Sequence, residues 1–206
     1  MRPEARDAHW YLLMDPAWTA TGEETEPPVE SVMGLWPVDA DAGLGRFRAN
    51  PGYVPSDPEA PADPLDALFR LLTAGRPVAA QVRLLLRDSE YEVALGEDGD
   101  PLVVQSPDRV SCLLVATSPW YRSSSPEVAS WQRVGIEELT DLLSAGADVL
   151  FNPGSPGSLR LVAAFVKSAR HPSDKQLAAA WAGLPAAGED QLRMLAWRIP
   201  APDDGS

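Results

Sequence analysis

The stretch Asp148–Leu161 decides the fold, and it reads Asp-Val-Leu-Phe-Asn-Pro-Gly-Ser-Pro-Gly-Ser-Leu-Arg-Leu. An apolar run is interrupted by a segment of proline, glycine and serine, and the chain then resumes as Leu-Arg-Leu. This pattern predicts a buried strand, a turn-rich loop and a second extended segment. Because the two prolines restrict the loop, we expect a rigid connection between two parts of the core.

Amphipathic helices are predicted on both sides of this stretch. Asp63 can cap the clearest of them, Pro64 suits its first turn, and Gly75 ends it. The predicted helices span about 65–72, 78–87, 136–143 and 162–169, with two more in the tail at 173–182 and 189–197. Residues 200–206 are expected to be disordered.

Alternating or continuous apolar residues predict the strands. The run 110–117 is almost entirely apolar and is expected to form a central strand. The other predicted strands are 9–14, a hairpin of 32–36 with 44–47, a strand 91–95 whose return partner is 102–104, and 131–134.

Together these elements predict an α+β fold, in which a mixed, largely antiparallel sheet has helices packed on it. We expect residues 1–64 to form a β-hairpin and a proline-rich strap packed on the core. Residues 65–169 are expected to form the α+β core itself, and 170–206 a helical tail.

The charge of the chain limits its partners. Its 206 residues contain 17 Lys and Arg against 30 Asp and Glu, giving a net charge of −13. Such a surface repels nucleic-acid backbones and anionic lipids. The single cysteine, Cys112, permits no intrachain disulfide. With no signal peptide or membrane span in the sequence, a cytoplasmic protein is expected.

No complete catalytic set is visible in the sequence. His9 and His171 lie outside the predicted core, and Cys112 lies among apolar residues of a strand, where it is expected to be a small core residue. Pro156 removes the amide that a nucleophilic Ser155 would need beside it. No metal site and no cofactor is expected, and the protein is expected not to be an enzyme.

Two sets of residues are candidates for binding. The loop Asn152–Ser158 could hold an anion on its backbone amides, with Arg160 or Arg133 beside it. Aromatic residues in exposed patches are typical anchors for protein partners. The candidate ligand-binding residues are Asn152, Gly154, Ser155, Ser158 and Arg160, and the candidate partner-binding residues are Trp18, Trp36, Trp120 and Trp131.

Two phrases carry a family resemblance: Thr117-Ser118-Pro119 after the central strand, and Asn152-Pro153-Gly154-Ser155 followed by Leu159-Arg160-Leu161. With the order of elements from residue 65 to about 169, they resemble the SseB-like N-terminal domain. Upstream, Trp10–Pro16 and Gly34–Ser56 resemble actinobacterial type VII secretion system-associated proteins. The resemblance implies the pathway and no known active site, so no catalytic residue is carried over.

Three functions remain open from the sequence. The first expectation is a cytoplasmic, non-enzymatic adaptor linked to type VII secretion, whose partner is a secretion component or a secreted substrate. The second is a small-ligand or anion binder, or an enzyme, that uses the loop Asn152–Ser158. The third is an immunity-like protein that neutralises a basic toxin.

Overall fold

The computed structural model describes residues 9–19, 26–39, 43–106, 108–122, 127–143, 146–173, 175–177, 180 and 194–198. The strands are β1 His9–Met14, β2 Val32–Asp39, β3 Gly43–Leu44, β4 Arg48–Ala49, β5 Tyr91–Leu95, β6 Val103–Gln105, β7 Ser111–Ala116, β8 Ser130–Val134, β9 Asp148–Phe151, β10 Leu159–Leu161 and β11 Met194–Arg198. The helices are α1 Pro64–Thr73, α2 Ala79–Asp88, α3 Ile136–Leu142 and α4 Ala163–Arg170, with 3-10 turns at Val29–Ser31 and Pro119–Tyr121.

The strands form two sheets. The N-terminal sheet has the order β11-β1-β2-β3, with β4 beside β2, and the central sheet has the order β10-β9-β7-β5-β8, with β6 beside β7. Among the described strands every pair is antiparallel except β7 and β9, which run parallel. The predicted α+β class with largely antiparallel sheets and packed helices is therefore confirmed.

The helices form a layer in which α2 contacts α1 and α4, and α4 also contacts α3. α1 begins as expected: Asp63 accepts a hydrogen bond from the Asp66 amide at 3.0 Å, and Pro64 occupies the first turn. Leu68 and Phe69 of α1 are fully buried. The four predicted helices between residues 64 and 170 are confirmed, each within one or two residues of its predicted bounds.

One hydrophobic core joins both sheets to this helical layer. Trp36 of the N-terminal sheet belongs to the same buried cluster as Leu68 of α1, Leu85 of α2 and Phe151 of the central sheet. The Phe151 ring lies 5.1 Å from that of Phe69. The N-terminal strands are therefore part of the core packing.

The proline-rich strap is held by side chains from other segments. Buried Asp15 accepts hydrogen bonds from the Tyr53 hydroxyl and the Ser56 amide, each at 3.2 Å. The guanidinium of Arg70 donates to the Glu59 carbonyl at 2.5 Å. Burial and the nearby Asp15 carboxylate raise the pKa of Tyr53, so its phenol stays protonated and able to donate.

One predicted strand pairing was wrong. The turn after β5 does form, since the Leu102 amide donates to the Ala94 carbonyl at 2.8 Å. However, β6 then pairs with β7, with Val103 opposite Leu113, and β5 takes β7 and β8 as partners. The chain after the turn pairs with β5 only through Pro101 and Leu102, because β7 occupies the same side of β5 at Glu92 and Val93. Residues 103–105 therefore pair with β7.

The predicted helix at 189–197 is also corrected. Residues 194–198 form β11, which pairs antiparallel with β1. Leu195 and Trp197 stand at alternate positions, a spacing that suits a strand. As a strand, this segment can hydrogen-bond through its backbone to the edge of β1. Residues 189–193 and the predicted disorder of 200–206 lie outside the described residues. No helix among the described residues is long and apolar enough to cross a membrane.

Candidate functional site

The two phrases noted in the sequence meet in space. β7 and β9 are parallel neighbours, with Val115 opposite Phe151, so both strands end at the same edge of the sheet. Just beyond, the Thr117 amide donates to Asn152 Oδ1 at 2.8 Å, and Asn152 Nδ2 donates to Thr117 Oγ1 at 2.8 Å. The Asn152 amide adds a bond to the Val115 carbonyl at 2.9 Å. Asn152 is fully buried, so its side chain connects the ends of the two strands.

Asp63 joins this pair to the start of α1. Thr117 Oγ1 donates to Asp63 Oδ2 at 2.6 Å, while Asp63 Oδ1 caps the helix. Burial of the carboxyl raises the pKa of Asp63 to about 6, although the bonds from Thr117 and from the Asp66 amide act in the opposite direction. The Asp63 carboxylate thus remains ionised at neutral pH in a site that disfavours its charge.

A second group of side chains lies one turn further along α1. Asp66 Oδ2 accepts from the Tyr121 hydroxyl at 2.5 Å and pairs with Arg70 NH2 at 2.8 Å. The Ala62 amide donates to the Tyr121 oxygen at 3.1 Å. Burial, followed by the bond to Asp66, raises the pKa of Tyr121. The 3-10 turn after β7 is therefore attached to α1 and to the strap.

The loop Asn152–Ser158 packs against the same helix. Asp66 Oδ1 is buried and has no hydrogen-bond partner among the described residues, and a Cβ on Gly157 would lie 1.8 Å from it. Only glycine allows the loop to approach α1 so closely. Asn152 itself has φ of 48°, in the left-handed region that asparagine tolerates better than most residues.

The geometry of this loop works against an anion site. The Ser155 amide donates to the Asn152 carbonyl at 3.1 Å, and the Ser158 amide donates to the Ser155 carbonyl at 3.0 Å. Two of the amides expected to hold an anion are therefore used within the loop. Gly154 supplies a turn at φ of 80°. Ser155 Oγ is buried and has no partner among the described residues.

Arg160, the cation expected beside the loop, is already paired. Its NH1 lies 2.6 Å from Asp148 and its NH2 lies 2.7 Å from Asp108. The hydrogen bond to Asp148 raises the pKa of Arg160, against the effect of desolvation. Both terminal nitrogens of the guanidinium already have carboxylate partners, so Arg160 ties β9 and the turn before β7 to β10.

The four candidate tryptophans have different environments. Trp36 is 1% exposed and packs against Phe47 at a ring distance of 4.5 Å, so its prediction as a partner contact is wrong. It alternates with Leu35 on β2, and its side of the strand faces the core. Trp18 and Trp131 are partly buried. Trp120 is 79% exposed, the highest value among the large apolar side chains described.

The residues around Trp120 are fixed while its own side chain is exposed. Thr117 is held by Asn152 and Asp63, and Tyr121 by Asp66, as described above. Arg122 forms a two-bond ion pair with Glu92 at 2.7 and 2.6 Å. The bond to Glu92 raises the pKa of Arg122. The 3-10 turn therefore presents the indole from a rigid backbone.

A cavity of about 590 Å³ lies beside this turn. Its wall includes Ser118 and Pro119 of the turn, the N-terminus of α1 and the loop between α2 and β5. We call Trp120 and this cavity together the Trp120 surface. Its apolar lining includes Phe47, Leu65, Tyr91 and Pro119, and its charged lining comprises Asp63, Asp88, Glu90, Glu92 and Arg133.

The remaining candidates of the sequence show no reactive arrangement. Cys112 is fully buried, and its Sγ lies 3.4 Å from the Val110 carbonyl oxygen. The exposed His171 ends α4, and the side chain of His9 lies outside the described part. In the part of the chain that the structure describes, no three His, Cys, Asp or Glu side chains are grouped to hold a metal ion.

Asp63 and Tyr121 were not recognised as site residues from the sequence. The capping role of Asp63 is visible there, but its bond to Thr117 spans 54 positions and that of Tyr121 to Asp66 spans 55. No local sequence pattern predicts contacts between residues so far apart in the chain. Comparison with known proteins adds no further information: no family model, no curated protein and no solved structure matches the chain.

Proposed function

We propose that the protein is a cytoplasmic, non-enzymatic adaptor associated with type VII secretion, which binds a protein partner through the Trp120 surface. The observation that carries the binding function is the exposed indole of Trp120, whose neighbours Tyr121 and Arg122 are held by hydrogen bonds to other elements. The secretion pathway rests on the resemblance of Trp10–Pro16 and Gly34–Ser56 to that family.

The rigid setting of Trp120 favours binding. Tryptophan is enriched among the residues that dominate interface energies, because one ring buries a large area with few rotatable bonds. Ordering a flexible loop on binding costs conformational entropy and reduces the affinity. The turn that carries Trp120 is already ordered in the unbound protein, so this cost is small.

The electrostatics indicate what kind of partner this surface accepts. The net charge of −13 disfavours nucleic acid and favours a protein with a cationic surface. An immunity-like function toward a basic toxin would use the same surface, and the identity of the bound protein separates it from a secretion adaptor.

An anion binder or enzyme at the loop Asn152–Ser158 receives less support. Arg160 is paired with two carboxylates, and the amides of Ser155 and Ser158 bond within the loop. The polar side chains of Asp63, Thr117 and Asn152 bond to one another, as in an architectural network.

Affinity capture from native lysate tests the proposal. Wild-type protein, Trp120→Ala and Val162→Ala are immobilised separately; Val162 is 51% exposed and lies at the start of α4, which makes it a matched control. We expect a type VII secretion component or substrate to be retained by wild type and Val162→Ala, and depleted about tenfold or more by Trp120→Ala. Equal recovery on all three, or capture only of proteins unrelated to secretion, would refute the proposal.

A further inference from the structure

The carboxylates that line the cavity differ in their pairing. Asp88 is bonded by the Arg87 guanidinium at 2.6 and 2.7 Å, and Glu92 by Arg122. Glu90 lies 3.6 Å from Arg133. Asp63 has no arginine or lysine partner among the described residues, so it is the one lining carboxylate there whose charge is not compensated.

Asp63 also keeps capacity to accept further hydrogen bonds. Its oxygens accept hydrogen bonds from the Thr117 hydroxyl and the Asp66 amide, and the Leu65 amide also acts on it. A carboxylate offers about four acceptor positions in all. Ser118, another lining residue, has a buried hydroxyl oxygen with no partner in the described chain. Among the described residues the lining therefore includes a carboxylate without a cationic partner and a hydroxyl without a hydrogen-bond partner.

Several other residues of the lining are apolar. Phe47, Leu65 and Pro119 form part of the wall, and the cavity volume of about 590 Å³ lies in the range of ordinary ligand sites. A group that matches both the apolar lining and the Asp63 carboxylate needs an aliphatic stem and a cationic tip. Lysine and arginine side chains have that construction, because their methylene stems pack on apolar surface while the charged head meets a polar partner.

We propose that this cavity receives an arginine or lysine side chain of the protein partner, with its stem against Phe47, Leu65 and Pro119 and its cationic group on the carboxylate of Asp63. The inference rests on the proposed function, because Trp120 follows the lining residue Pro119 and supplies the neighbouring contact. The partner would thus present a basic residue close to the surface that covers the indole.

The state of Asp63 in the unbound protein supports a cationic occupant. Its pKa of about 6 leaves it ionised at neutral pH although burial opposes its charge. A cation brought into a partly desolvated site relieves that cost, whereas an anion would add to it. A neutral side chain would leave the carboxylate without a counter-charge.

The test uses Nα-acetyl-arginine methylamide as the probe and the citrulline analogue as its uncharged match, with binding followed by NMR shifts of the full-length protein. Asp63→Asn keeps a capping residue and removes the charge. Glu97→Gln removes one exposed acid from the turn after β5 and serves as the control for net charge. Ser89→Arg places a cation in the cavity wall and tests the site independently if Asp63→Asn folds poorly.

We expect wild type and Glu97→Gln to bind the arginine probe, and both Asp63→Asn and Ser89→Arg to bind it about tenfold more weakly or worse. Equal binding of the citrulline analogue, or unchanged binding by folded Asp63→Asn, would overturn the inference. Agmatine carries the guanidinium of arginine without the backbone of a peptide. If agmatine binds more tightly than the arginine probe, the cavity selects a small free amine and the inference is overturned.

Failure of the inference can be separated from failure of the proposed function. If Trp120→Ala loses the captured partner while Asp63→Asn retains it, the cavity is not used and the adaptor function stands. If Asp63→Asn loses both the probe and the partner while Trp120→Ala retains both, the cavity is the contact and the proposed role of Trp120 is wrong.

Discussion

Asn152 and Thr117 hydrogen-bond to each other in both directions at the carboxyl ends of two parallel strands. Through the Thr117 hydroxyl the pair also holds Asp63, the cap of α1. A single buried amide side chain therefore connects the central sheet to the helical layer. The strength of that connection can be measured.

Replacing Asn152 tests it directly. Asn152→Ala should lower the free energy of unfolding by about 2–4 kcal/mol, because the Thr117 amide loses its partner and alanine is strained at a positive φ. Asn152→Gly removes the same bonds without the strain and should be less harmful. Gln132→Ala removes an exposed amide on β8 and is the control; it should change the free energy of unfolding by less than about 0.5 kcal/mol. Urea denaturation gives all three values, and equal stability of Asn152→Ala and wild type would contradict the connection.

Gly157→Ala should destabilise the protein by about 1–3 kcal/mol, because the new Cβ collides with the Asp66 carboxylate. In an Asp66→Ala background the same change should cost less, which a double-mutant cycle detects as a coupling energy. Gly135 has open space around its would-be Cβ, so Gly135→Ala is the control for adding a methyl group. A purely additive cycle would mean that the contact of the loop with α1 is not the reason for the glycine.

Asp63 should give the unfolding free energy a distinctive pH dependence. Its folded pKa of about 6 lies above the unfolded value, so the folded state holds the proton more tightly. The resulting stabilisation is fully present below pH about 4 and is lost as the pH rises through about 6. Relative to wild type, Asp63→Asn should therefore become steadily more favourable across that window, by at most about 1.4 kcal/mol per pH unit. A difference that stays constant between pH 4 and 7 would exclude the raised pKa.

The tryptophans should separate into core and surface residues. Trp36→Ala should cost about 3–5 kcal/mol, because a buried ring packed on Phe47 is lost. Trp120→Ala should change stability by less than about 0.5 kcal/mol. Iodide quenching of the native fluorescence should fall more on removal of Trp120 than of Trp131, which is partly buried. Strong destabilisation by Trp120→Ala would contradict its exposed position.

Tyr121→Phe tests whether a fixed turn matters for binding. It removes the hydroxyl that bonds Asp66 and the Ala62 amide, and should cost about 1–3 kcal/mol of stability. If the order of the turn contributes to affinity, partner binding should also weaken although the indole is untouched. Tyr53→Phe removes a phenol that bonds Asp15 and the Pro61 carbonyl, and is the matched control. Equal partner affinity of the two variants would show that the hydroxyl of Tyr121 is not needed for recognition.

Local sequence patterns predicted most of the helices and strands, because helix caps and apolar periodicity depend on residues that are close in the sequence. The cap at Asp63, the buried strand β7 and the turn at Asn152 are examples. What failed was the choice of strand partner. The short turn after β5 predicts β6 beside β5, and the pattern of 189–197 predicts a helix, whereas 194–198 pairs with β1 as a strand.

The site was predictable only in part for the same reason. Thr117 and Asn152 were recognised as parts of separate phrases, but their contact depends on β7 and β9 being parallel neighbours. Trp36 and Trp120 are both tryptophans near a proline, and nothing in the sequence assigns one to the core and the other to the surface. Burial is decided by how the two sheets share one core, which is a property of the whole chain.

The pairing of β1 with β11 also has a consequence during synthesis. The first described strand leaves the ribosome about 180 residues before the strand that completes its sheet edge. At translation rates of roughly 5–20 residues per second, that edge waits on the order of 10–40 s without its partner. During this interval β1 can pair with β2 alone, and its other side presents unpaired backbone groups to neighbouring nascent chains. The chain is therefore most exposed to misassembly while it is being made.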